Sequence, residues 1–131
     1  MQGLGSILVD FNRTHASNPR WTGHARFHAV WKIAMDALLA VLAVTLTFRS
    51  APVAAERFYL AAALTAFPML AFFAALFTRS TYGGSLHDEN GIPPLPVSLN
   101  GKRLEVDLNA ALEVVASIVL IAAVLLFRRG L

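Results

Sequence analysis

The stretch His28-Ala-Val-Trp-Lys-Ile-Ala-Met-Asp36-Ala-Leu-Leu-Ala-Val-Leu-Ala-Val-Thr-Leu-Thr-Phe48 decides the fold. As a helix it is about 30 Å long, the thickness of a bilayer's hydrocarbon core. Its only full charges are Lys32 and Asp36. Two further runs match it: 57–78 carries no charge after Arg57, and 108–127 is charged only at Glu113. Three such runs predict an all-α fold, an integral membrane helical bundle with the lipid bilayer as its surroundings. The spans fall at about 28–48, 57–78 and 108–127, in a single membrane domain covering 1–131. A polar N-terminal block, 10–26, and one long loop, 79–106, complete the layout. Composition agrees: 56% of the 131 residues are hydrophobic and 15% charged, against about 25% charged in soluble domains. A soluble bundle with buried helices fits three consecutive runs of this length poorly.

The formal net charge is +3, but the basic residues mostly bracket the spans, as membrane anchors do. Nucleic acid is therefore not an expected partner. Without cysteine, disulfides, thiolate chemistry and cysteine metal sites are excluded. Residues 1–9 are apolar but too short for a span or a signal peptide. They read either as a short interfacial helix or as the last two turns of a first membrane helix whose beginning is missing.

Asn18-Pro19 signals a turn, and Thr22 is a plausible N-cap for the first span. Trp21 and Trp31 flank its entry, where aromatic belts sit. Pro68 is expected to kink the second span, with Thr65 one turn earlier as a partner for a freed backbone group. In the long loop, Val97 to Val106 reads as a small hairpin, because Asn100-Gly101 between alternating apolar residues favours a type I′ turn. Asp107 is a good N-cap for the third span.

The first and third spans enter from the same side, which also holds the polar block and the long loop. Asp36 lies about 12 Å inside its helix and Glu113 about 9 Å inside its own. Acids within a span are costly, so they normally face the protein interior and serve a purpose there. Each ends or centres a line of polar residues spaced four apart, on one helical face. His24, His28, Lys32 and Asp36 run down one helix; Asn109, Glu113 and Ser117 run down the other. The two lines outline a polar cleft opening toward the loop side. Lys32 supplies Asp36 with a counter-ion, whereas Glu113 has no cation on its own line. Acids in unlike surroundings are how a site separates a proton donor from an acceptor. This predicts acid–base chemistry on, or binding of, a lipophilic small molecule. Asp36, Glu113, His28, Lys32 and Asn109 would form the catalytic group, and Trp21, Arg26, Trp31 and Ser117 would contact the substrate. The alternative is structural: a Lys32–Asp36 ion pair that fixes packing, and Glu113 with Asn109 as interhelical glue.

The histidines allow a second chemistry. His24 and His28 are an i, i+4 pair, a spacing used by zinc-binding helices. His15 lies upstream across the turn, and His87 lies in the loop beside Asp88 and Glu89. His15, His24, His28 and His87 are thus candidate ligands for zinc, iron or copper. Interfacial histidines also commonly serve as hydrogen-bonding groups.

The block from Asp10 to His28, with Asp10, Thr14-His15, Asn18-Pro19, Trp21 and His24-Ala-Arg-Phe-His28 followed by Trp31, resembles the signature of a family of small uncharacterised membrane proteins. Its pattern is Asp-x3-Thr-His, then Asn-Pro-x-Trp, then His-Ala-Arg-Phe-His. The resemblance covers about 20 residues well and the remaining hydropathy layout loosely. It implies about four membrane helices, the first just before the aspartate; here that helix is nearly absent. This chain has Thr22-Gly23 where the pattern places proline after the tryptophan. No activity comes with the resemblance.

Orientation signals conflict. The raw Lys/Arg count favours a cytoplasmic loop side, whereas Arg49, Arg57, Arg128 and Arg129 cluster at span ends on the opposite side. The clustering, together with a missing first helix, places the polar loop side outside the cytoplasm. Three helices bury little surface alone, so a homo-oligomer or a larger membrane complex is expected. A non-catalytic accessory or assembly subunit of such a complex is the alternative to a binder or enzyme.

Overall fold

The computed structural model describes residues 4–49, 52–86, 93–99 and 101–130. Helix α1 (Leu4–Asp10) is short, and a turn-rich segment leads from it to α2 (Gly23–Phe48). α3 (Ala55–Thr78) runs back, followed by a single 3-10 turn at Arg79–Thr81. Strands β1 (Leu95–Leu99) and β2 (Lys102–Val106) precede α4 (Leu108–Arg128). α2, the segment Ala55–Thr81 and α4 are each long and apolar enough to cross a membrane, at the three positions expected from hydropathy.

The helix starts follow from their capping residues. The Thr22 hydroxyl accepts from Ala25 N at 3.2 Å, and the Asp107 carboxylate accepts from Ala110 N at 3.0 Å. Each satisfies a backbone donor that the first turn leaves without an intrahelical partner. Pro68 lies inside α3 and removes the bond that the Leu64 carbonyl would otherwise receive. The Thr65 hydroxyl does not replace that bond; it donates to Ala61 O at 2.9 Å.

The hairpin is antiparallel, with Leu95 opposite Val106 and Leu99 opposite Lys102. That register leaves a two-residue connection, 100–101. Gly101 has φ +75°, the left-handed region that a type I′ turn requires; Asn100 lies outside the described residues. β1 starts two residues before the expected Val97. Pro96 faces Glu105. Counting from the closing pair, this is a position without ladder hydrogen bonds, so the missing proline N–H costs nothing.

α3 is the central helix, packed against both α2 and α4, and α1 packs on α2. Far from the hairpin, Phe58 of α3 stacks on Phe127 of α4, centroids 3.8 Å apart and rings 10° from parallel. This contact pins the start of α3 to the end of α4. Among the described residues, the buried apolar side chains are Ile33, Ala61 and Met69, and the buried polar ones are Asn18, Asp36 and Glu113. A compact soluble protein of this mass exposes about 6,800 Å²; this chain exposes 9396 Å². Much of the exposed surface is apolar side chains on the helices, such as Leu38, Phe48, Phe77 and Ile118.

Candidate functional site

Asp36 reaches the interior because of how α2 winds. Four residues turn a helix by about 400°, roughly 40° past one full turn. Three such steps carry the line His24, His28, Lys32, Asp36 about 120° around the axis. The line therefore begins on the outside and ends inside: His24, His28 and Lys32 are exposed, while Asp36 is 3% exposed. The Lys32 ammonium donates to Asp36 Oδ2 at 2.8 Å, although the lysine side chain is itself 59% exposed. The Lys32 side chain thus turns its ammonium inward onto a buried carboxylate while much of its length stays exposed.

Glu113, on α4, is also 3% exposed. It shares one cavity with Asp36. The cavity holds about 670 Å³ and is bounded by α1, α2, α3 and α4 together. Lys32, Met35, Asp36 and Leu39 come from α2, and Asn109 and Glu113 from α4. α3 contributes Phe67, Pro68, Ala71, Phe72 and Ala75. Asp10, at the end of α1, and His15, in the turn, complete it. The volume falls within the range of small-molecule pockets, about 300–1,000 Å³, and the largely apolar wall with a few convergent polar groups is their usual composition. A second cavity of about 220 Å³ lies between α2 and α3 and shares Asp36, Leu39 and Pro68 with the first.

Asn18 holds the N-terminal block in place. It is fully buried, at 0% exposed. Its amide donates to Thr14 O at 3.1 Å and its carbonyl accepts from Arg20 N at 3.0 Å. The Thr14 hydroxyl lies 2.7 Å from Asn12 Oδ1 and 2.8 Å from His15 Nδ1. The His15 and Trp21 rings meet nearly perpendicular, with centroids 5.6 Å apart. These contacts aim His15 at the cavity, with Nδ1 3.9 Å from Asp10 Oδ1.

Of the residues singled out from sequence, Lys32, Asp36, Asn109, Glu113 and His15 meet in one cavity. The others lie outside its wall. His24 and His28 pair with each other on the outer face of α2, Nε2 to Nε2 at 3.0 Å. Trp31 stacks on His28, with centroids 5.7 Å apart and rings 30° from parallel. Trp21 serves the turn through His15, and Arg26 is exposed. The Ser117 hydroxyl donates to Glu113 O at 2.7 Å, on its own helix backbone, and Ser117 is not part of the cavity lining. His87, Asp88 and Glu89 lie outside the described residues. Among the described residues, no group of three His, Asp or Glu side chains is placed to hold a metal ion.

Two contributions to the cavity are poorly marked in the sequence. Asp10 stands out there only within the N-terminal signature; an acid ending a short apolar segment is the one further signal. The second span has no charge after Arg57, so nothing marks Phe67 to Ala75 as cavity wall except Pro68. No protein family, curated protein or solved structure matches the chain.

Proposed function

We propose that the chain is a small integral membrane protein whose loop-side cavity binds a lipophilic small molecule and acts on it by acid–base chemistry. One observation carries this reading: Asp36 and Glu113, on separate helices and each 3% exposed, line one largely apolar cavity of about 670 Å³. Interhelical glue alone needs no cavity beside it. Asp36, with its lysine partner, and Glu113 are the acid and base; Asn109 and His15 orient the ligand. In this reading the exposed apolar helix faces meet lipid, and the loop side is extracytoplasmic. The N-terminal block belongs to the four-helix family its signature resembles.

The test is purification from membranes followed by native mass spectrometry of co-purifying lipophilic compounds. Ala71→Trp, which fills the cavity without changing charge, is expected to lose the bound species. Ala122→Trp, on α4 away from the cavity lining, is expected to keep it. Equal occupancy in both variants would sink the proposal. Glu113→Gln is expected to retain the compound but leave it unconverted.

A second reading rests on the 9396 Å² of exposed surface. It makes the chain an accessory subunit whose apolar faces pack on other subunits or on copies of itself. Recovery only within a larger assembly, with an empty cavity, would favour it. The 3.0 Å His24–His28 pair separately supports weak binding of zinc or copper at the helix surface. Loss of retention on an immobilised-zinc column in His28→Ala is the expected outcome.

A further inference from the structure

The hairpin has two unlike faces, and none of its described residues lines the cavity. Residues directly opposite each other in antiparallel strands point to the same side. Leu95 with Val106, Val97 with Leu104, and Leu99 with Lys102 therefore share one face. Pro96 with Glu105 and Ser98 with Arg103 share the other. The first face is apolar except for Lys102 beside the turn. Such alternation marks a sheet with one covered side, and a lone two-stranded hairpin is marginal in water without packing. Yet Leu95, Leu99 and Leu104 are 48%, 56% and 49% exposed. The extensive contacts of each strand are with the other strand, not with a helix. The place of the hairpin in the chain indicates what covers this face. Asp107 alone separates β2 from α4, one of the three helices long and apolar enough to cross a membrane. The hairpin is thus tethered at the level where that helix enters the hydrocarbon.

We infer that the face carrying Leu95, Leu99 and Leu104 docks on the bilayer itself, at the lipid–water interface beside the start of α4. The leucines reach toward the acyl chains. Lys102 lays its aliphatic stem along the same face, and its ammonium meets lipid phosphate. Depth is limited by the backbone. The outer edges of a two-stranded sheet carry unpaired N–H and C=O groups, which hydrocarbon does not tolerate. The strands therefore stay among the headgroups and only apolar side chains dip below them, with Ser98, Arg103 and Glu105 toward water. A second copy of the chain fits this face less well. Strands of five residues make a patch about 17 Å by about 10 Å, about 170 Å². Each partner in a stable interface gives about 800 Å². A tethered hairpin needs no such area, because α4 already holds it at the surface. This docking rests on the membrane-spanning reading of α4 and is independent of any ligand in the cavity.

The chain has no cysteine, so one introduced cysteine carries a nitroxide label without background. The experiment is power-saturation electron paramagnetic resonance on the full chain in phosphatidylcholine nanodiscs. Oxygen, which partitions into lipid, and a water-soluble nickel chelate are the relaxing agents. Leu99→Cys and Leu104→Cys place the label on the apolar face, Ser98→Cys on the polar face, and Ile118→Cys on an exposed position of α4. Labels at 99 and 104 are expected to be several-fold more accessible to oxygen than to the chelate, as at 118, and the label at 98 the reverse. If 118 is in lipid but 99 and 104 favour the chelate, the hairpin stands in water and the docking is overturned while the span stands. If 99 and 104 are shielded from both agents, protein covers the face and the docking is again overturned. If 118 itself favours the chelate, the span and the docking fall together.

Discussion

Lys32 and Asp36 form an ion pair with unequal surroundings, and the two ends respond differently to substitution. Asp36 is 3% exposed, whereas the lysine side chain is 59% exposed. Removing Asp36 leaves a cation on a mostly exposed side chain that can swing out toward the periphery. Removing Lys32 leaves a carboxylate in an apolar wall without its counter-ion, the costlier error. Lys32→Met is therefore expected to destabilise the fold by about 3 kcal/mol. Asp36→Asn is expected to cost less than about 1 kcal/mol, as for a screened pair. Denaturant titration of the detergent-solubilised protein checks the order, and the reverse order would show that the pair is not organised as described. Asn18 makes a second residue-scale prediction. Asn18→Ala removes two side-chain hydrogen bonds from a fully buried site, at about 1–3 kcal/mol. The loosened turn is expected to open Arg13 and Arg20 to trypsin while the three long helices persist by circular dichroism.

The elements were legible in the sequence wherever a local rule decides them. Length and hydropathy fixed three helices, and Thr22 and Asp107 fixed two of their starts through caps that need only neighbouring backbone. The hairpin was half legible. Its turn announces itself at Gly101, but Pro96 hid the start of β1, because proline is tolerated only at positions that donate no ladder bond. Gly101 has φ +75°, and a Cβ added there would meet no atom within 4 Å, so a side chain at this position suffers backbone strain and no clash. Gly101→Val is expected to destabilise the hairpin by about 1–2 kcal/mol, with Gly101→Asn largely tolerated. Faster amide exchange across 95–106 in the valine variant alone is the signature. What the sequence concealed was rotation. A line of residues four apart looks like one face, yet between His24 and Asp36 it turns from outside to inside. The cleft therefore takes only Lys32 and Asp36 from that line and draws its histidine from another element, where Asn18 sets the turn.

Across the whole molecule, as many polar as apolar side chains are buried among the described residues. In water such a chain has almost no hydrophobic core to hold it together. Its surroundings must supply the apolar environment, and the helices then associate through packing and polar contacts. The Phe58–Phe127 stack closes one end of this assembly, and the cavity occupies the other. Phe127→Ala is expected to lower the unfolding midpoint in detergent while leaving the co-purifying compound in place by native mass spectrometry, since sites this far apart act nearly independently. Pro68 touches both of the cavities that meet at Asp36, and the turn it occupies lacks one rung of the backbone ladder. α3 is thus most compliant in bending where it forms the wall shared by the two spaces. A molecule filling either space would press on that joint, and the width of the cavity would then depend on the mechanics of a single proline turn.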